Sequence, residues 1–134
     1  MNKKKTSLLF LALIVLQGFH SIEEYIGKLW ENFPPATFLC GLVSENLETG
    51  FLIINYGMFI FGILAWFFII RKDRIGSSFF LWFWIFIEIV NGIGHPLWSL
   101  IQKEYTPGVL TSPVLLIFSL ALINSIINSK IVRI

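Results

Sequence analysis

The segment His20-Ser21-Ile22-Glu23-Glu24 directly follows an apolar run over residues 8–16. It places an imidazole and two carboxylates where a lipid-buried helix ordinarily carries none. Ionisable groups at the bilayer centre cost about 2.5–3.5 kcal/mol each on insertion scales, and they mark candidate sites. At helical spacing His20 and Glu24 stand one turn apart on one face, with Glu23 beside them. A second set lies at Glu88, Asn91 and His95. Its spacings of three and then four residues keep one stripe, which Ser99 and Gln102 continue. Three carboxylates and two imidazoles buried together need compensation by protons or by a cation. His and carboxylate ligands suit zinc, and also manganese or iron. The expected metal ligands are His20, Glu24, Glu88 and His95, with Glu23 or Glu24 as general base. Five candidate ligands are enough for one metal and thin for a dinuclear centre.

The elements that must position these residues are membrane spans. The chain of 134 residues is 56% hydrophobic and 13% charged, with fourteen Phe and five Trp. Its mean hydropathy is +0.79. Soluble domains carry about 25% charged residues, so a polytopic all-α membrane domain over residues 1–134 is the expected class. About 20 mostly apolar residues are needed to cross the hydrocarbon core. Residues 6–26, 50–70, 75–100 and 113–127 meet that need and predict an integral membrane four-helix bundle. Ser112 is expected to N-cap the last span, with Pro113 at its first position. Pro96, preceded by Gly92 and Gly94, predicts a bent or broken end to the third span. The Phe79–Phe80–Trp82–Phe83–Trp84–Phe86 cluster is expected to be lipid-facing and packing surface.

Basic residues orient the bundle. Lys3, Lys4, Lys5, Arg71, Lys72, Arg74, Lys130 and Arg133 fall on one side, against Lys28 and Lys103 on the other. Both termini are therefore expected in the cytoplasm and the site in the extracytoplasmic leaflet of the cytoplasmic membrane. At 1.5 Å per residue, His20 lies about 20 Å along its span and His95 about 25–30 Å along a span of the same direction. Glu88 is deeper. The basic start and apolar core of residues 3–16 also suit a secretory leader, but no small-x-small cleavage signal follows. The single cysteine, Cys40, excludes an intrachain disulfide and a cysteine-based metal cage. A formal charge of +2 gives no footing for nucleic acid.

The motifs also support a resemblance. His20-Ser21-Ile22-Glu23-Glu24, the lone His95 in Asn91-Gly-Ile-Gly-His95-Pro96, and Tyr105-Thr106-Pro107-Gly108 occur in order over nearly the whole chain. In these the chain resembles the HXXEE family of small membrane proteins, which has no established activity to carry over. Pro107-Gly108 reads as a turn in the outer connection. Topology places it above the site as a cap, with the Tyr105 hydroxyl able to point inward as a third catalytic group.

The expected function is a membrane-embedded, metal-dependent enzyme, hydrolytic in type, acting on a lipid or isoprenoid-like substrate that enters from the bilayer. A metal-free acid–base isomerase and a non-catalytic binding or assembly protein are the alternatives. An ion transporter is disfavoured, because the spans are almost entirely apolar inward of the site. Against each functional assignment stands a plainer one. His20, Glu23 and Glu24 could hold helices together by buried hydrogen bonds. His95 could be an interfacial histidine beside a proline, and residues 105–108 a simple turn. Asn55 and Tyr56 could join the site, whereas a Ser21–His20 nucleophile pair is disfavoured because adjacent helix positions diverge by about 100°.

Overall fold

The computed structural model describes residues 3–129. Lys130 and Arg133, counted above among the cytoplasmic charges, lie outside the described residues. Within them the chain is helical and has no strand. The helices are α1 (Lys3–Ile26), α2 (Leu29–Asn32), α3 (Pro34–Val43), α4 (Leu47–Ala65), α5 (Ser77–Gln102) and α6 (Ser112–Ser129). A π-helical turn, Trp66–Ile70, extends α4. Three helices are long and apolar enough to cross a membrane: Lys3–Ile26, Leu47–Ile70 and Ser77–Gln102. The apolar α6 is shorter.

The apolar residues recur at the three- and four-residue spacing that makes one buried stripe per helix. Phe10, Leu13 and Ile14 of α1, Leu81, Trp84 and Ile85 of α5, and Leu115, Leu122 and Ile126 of α6 form the core, joined by Ile70. On α1 the same stripe runs on into His20 and Glu24, and on α5 into Glu88, Gly92 and His95, all buried. The polar groups are therefore the continuation of the packing faces. Outward faces are apolar as well: Phe19, Ile22, Ile53, Phe86 and Ile117 are each more than half exposed, as suits an apolar surround. Trp84 departs from the expected lipid-facing set, being fully buried between Phe10 and Phe61.

Three local expectations need correction. The connection before α4 contains a further helix, α3, started by Pro34 at its first position, where a missing N–H costs nothing. It packs Cys40 with Leu29, Trp30 and Phe51 over that end of the fold. Pro96 does not break α5, which runs unbroken to Gln102; proline removes one backbone donor, and side chains on both sides hold the remaining turns. Ser112 is the first residue of α6 and not its cap, its hydroxyl donating to the Val109 carbonyl at 3.1 Å. The cap position falls to Thr111, whose carbonyl accepts from the Val114 and Leu115 amides.

Small residues let helices approach closely. A Cβ on Gly92 would stand 2.8 Å from Leu116 Cβ and 3.1 Å from its backbone nitrogen. One on Gly57 would meet open space. Gly92→Ala is therefore expected to cost about 1–3 kcal/mol through overpacking. Gly57→Ala should be neutral or up to about 1 kcal/mol stabilising, from helix propensity. Unfolding midpoints in detergent measure both, and equal stability of the two variants would refute this α5–α6 contact.

Candidate metal centre

Residues on two helices and one turn converge where the core stripes turn polar. His20 and Glu24 are one turn apart on α1, and His95 comes from α5. Glu24 Oε1 lies 3.3 Å from His20 Nε2 and 3.1 Å from His95 Nε2. The two rings meet edge to face, 4.7 Å between centroids at 80°. All three side chains are buried, His20 completely. One carboxylate oxygen thus stands between two imidazole nitrogens.

Gly108 closes the site from above. It takes φ +94°, and a Cβ there would lie 2.6 Å from the His95 ring and 2.9 Å from that of His20. Glycine is required twice over, for the left-handed backbone and for the approach of the rings. The Tyr105-Thr106-Pro107-Gly108 turn is therefore the lid of the histidine pair, as its topological place suggested.

Glu23 does something different from Glu24. Its Oε1 accepts from the Tyr105 hydroxyl at 3.0 Å and from the Leu110 amide at 3.0 Å. Its Oε2 accepts from the Thr111 amide at 2.9 Å and from Thr111 Oγ1 at 2.5 Å. Leu110 and Thr111 present their N–H groups just before α6, at the positive end of its dipole, and a carboxylate from α1 is their partner. An ionised carboxylate has about four acceptor positions, and four donors occupy them here. Burial, and then the Glu23 carboxylate that its hydroxyl meets, push the Tyr105 phenol up from its ordinary value. Tyr105 therefore stays a donor at neutral pH, with its hydroxyl on Glu23.

The cap also sets a histidine. His20 Nδ1 lies 2.6 Å from Thr111 Oγ1. A hydroxyl has one hydrogen, and Thr111 gives it to Glu23, the charged and closer acceptor. Thr111 can then only accept from His20, so the proton of the ring sits on Nδ1 and the lone pair of neutral His20 on Nε2. That Nε2 is buried with no hydrogen-bond partner: it stands 3.3 Å from Glu24 Oε1 without bond geometry. A relay that fixes the far nitrogen of a histidine is the usual support of a metal-ligating imidazole.

Among the described residues, the His, Cys, Asp and Glu side chains grouped at ligand spacing are His20, Glu24 and His95, with donor atoms all within 4.8 Å of one another. Metal–donor bonds of about 2.0–2.1 Å at tetrahedral angles put donors roughly 3.4 Å apart, close to the two separations measured. The set fits a small divalent ion. Glu88, expected as a fourth ligand, is fully buried but is not brought into the group. It lies two turns from His95, about 10 Å along α5, and is served instead by Gln17 of α1. With the Gln17 amide nitrogen turned toward it, as donor–acceptor chemistry requires, that nitrogen is 2.7 and 3.0 Å from the two oxygens. Asn91 adds a donor at 3.4 Å. Cys40 stays outside the ligand group; burial, and then the Glu24 carboxylate, push its thiol up, leaving a neutral packing residue.

Thr111 and Gln17 escaped the sequence reading. A Thr just before Ser112-Pro113 is a recognisable cap signal, but nothing local says that a glutamate 88 residues earlier completes it. Hydrogen bonds to a charged group are each worth about 1.5–3 kcal/mol. Glu23→Ala is thus expected to destabilise the fold by at least about 2 kcal/mol, more than Glu45→Ala at an exposed position, when unfolding midpoints are compared. Equal midpoints would show that the α1–α6 cap is not made.

Comparison with curated proteins and with solved structures finds no match. A family model described as a protein of unknown function with HXXEE motif matches residues 9–122. That range contains His20, Glu23, Glu24, His95, the Tyr105–Gly108 turn and Thr111, and the chain belongs to this HXXEE family.

Proposed function

We propose that the chain is a four-span membrane protein in which His20, Glu24 and His95 hold one divalent metal, with zinc the best fit. The metal serves hydrolytic chemistry on an apolar, lipid-like substrate. One observation carries this reading. The Nε2 lone pair of His20 is buried and unpartnered, 3.3 Å from a carboxylate oxygen. Two acceptors so placed repel each other unless positive charge sits between them. A metal ion answers that need with the donor set present.

When bound, the ion would supply Lewis acidity toward a carbonyl or phosphoryl oxygen. The protein does the rest. Glu23 and Thr111 hold His20 in one tautomer, Gly108 presses both rings into place, and the apolar core beneath keeps water out. With Glu23 saturated by donors, Glu24 is the carboxylate placed to accept a proton. Tyr105 supports Glu23 from the rim. Phe33 packs 6.4 Å from the His95 ring and also lines a cavity of about 300 Å³ with Gln102, Glu104 and Tyr105. That cavity gives the site a polar approach from the aqueous side.

The four spans form one domain, α6 making the fourth; its 18 residues cover about 27 Å. The split of basic residues puts both termini in the cytoplasm and the site in the outer leaflet of the cytoplasmic membrane. Fully buried Phe10, Leu13, Leu81, Trp84 and Leu122 fill the interior on the other side, which favours a closed site over a conducting path. A second reading rests on the same contact. Glu24 Oε1 touches both Nε2 atoms, so a proton shared among them would make a metal-free acid–base centre.

Elemental analysis separates the two. Purified wild-type protein titrated with zinc is expected to retain about one ion per chain after desalting, and His20→Ala or His95→Ala to retain none. Thr111→Val should weaken affinity by about 10–100-fold, because it frees the His20 tautomer. Glu88→Gln should leave the metal in place. Wild-type protein that retains no more zinc than the histidine variants would replace the metal with the proton.

A further inference from the structure

A second cavity lies outside the His–Glu–His group. It is a groove of about 590 Å³ between α1 and α4, walled by Phe19, Ile22, Leu52 and Phe59 with Gln17, Ser21 and Asn55 along one edge. It opens sideways, since Phe19, Ile22 and Tyr56 on its walls are each more than half exposed. No lining residue is charged. From Val15 to Tyr25 it follows α1 for about 15 Å, within the segment read as a membrane span.

Its polar edge is chemically incomplete. Ser21 Oγ donates its one hydrogen to Asn55 Oδ1 at 2.7 Å. Asn55 Nδ2 gives one of its two hydrogens to the Phe51 carbonyl at 3.0 Å. With the Gln17 nitrogen turned to Glu88, the Gln17 carbonyl oxygen faces Ser21 Oγ at 3.4 Å, and the serine has no second hydrogen for it. The groove therefore presents the Gln17 carbonyl and Ser21 hydroxyl oxygens as acceptors, with the second Asn55 amide hydrogen and the Tyr56 hydroxyl as donors, in otherwise apolar walls. A polar group left unmatched in such surroundings is unfavourable, and an O–H from the occupant matches it.

We propose that the α1–α4 groove binds one long-chain lipid bearing an uncharged hydroxyl, its chain along Phe19, Ile22, Leu52 and Phe59 and its O–H on Gln17 and Ser21. The absence of lining charge selects against fatty acids and phosphorylated lipids, whose anions would lie uncompensated. The volume falls within the range of small-molecule sites. Ser21 precedes Glu24 by three residues, so their side chains are about 5–6 Å apart at Cβ. The lipid's polar end is thus held one helix face away from the metal centre. This inference rests on the membrane-enzyme reading and names the class of its substrate.

The test is photolabelling of full-length protein in nanodiscs with a diazirine-bearing hexadecanol, mapped by peptide mass spectrometry. The expected labels concentrate on α1 and α4 groove residues. Unlabelled hexadecanol should compete at least five-fold better than hexadecane or palmitate. Leu52→Trp should cut labelling at least five-fold with zinc content unchanged, and Gln17→Leu should abolish the preference for alcohol over alkane. Even labelling of all outward-facing apolar residues, equal competition by palmitate, or chain-to-chain crosslinks through the groove would each overturn the proposal. The wild-type map decides even if a variant fails to fold. Groove-specific labelling of protein that binds no zinc would sink the metal reading and leave the groove standing; even labelling of zinc-bound protein would do the reverse.

Discussion

The arrangement depends on the carboxylate of Glu23 against the start of α6. Its two oxygens gather the Tyr105 hydroxyl, the Leu110 amide and both donors of Thr111. In one stroke this pairs the Leu110 and Thr111 N–H groups just before α6, fixes α1 against α6, and commits the Thr111 hydrogen. Everything that matters chemically follows from that last commitment. His20 must donate from Nδ1 to Thr111, so its other nitrogen faces the interior with a lone pair. The two adjacent glutamates of the motif, 100° apart around the helix, thereby divide the labour: one holds the frame and the other meets the histidines.

A group such as Glu24, with both His20 and His95 on one oxygen, is tolerable only where its surroundings are rigid and its charge is balanced. The fold provides the rigidity. Below the site the stripes of α1, α5 and α6 are filled with large apolar side chains, and above it Gly108 lies against both rings with no room for a side chain. α3, with Cys40 against Trp30 and Phe51, covers the neighbouring end of α4. The site is therefore a closed end of the packing, and the lateral α1–α4 groove lies outside it. Gln17 lines the groove and also contacts the buried Glu88.

Much of this was legible in the residues. The apolar runs gave the long helices to within three residues at each end, and the three- and four-residue spacings put His20 with Glu24, and Glu88 with His95, on buried faces. The depth estimate also separated Glu88 from the histidines, yet charge counting still drew it into the ligand set. In the fold Glu88 stands two turns of α5 from His95 and outside the His20–Glu24–His95 group, and Gln17 satisfies its carboxylate locally. α3 was hidden because its ten mostly apolar residues are too few for a span and read as connection, although Pro34 at its start is a usable signal. The Glu23–Thr111 cap could not be read at all. Helix caps have local signatures, but a cap lent by another helix 88 residues away depends on how α1 and α6 pack.

The central claim, that Glu24 and the Nε2 atoms of His20 and His95 form one cation site, is tested most directly by X-ray absorption at the zinc edge of zinc-titrated protein. The account predicts two imidazoles and at least one oxygen donor at about 2.0–2.1 Å, with one imidazole lost in His20→Ala and one in His95→Ala. A spectrum showing oxygen donors alone, or one unchanged by either substitution, would contradict it.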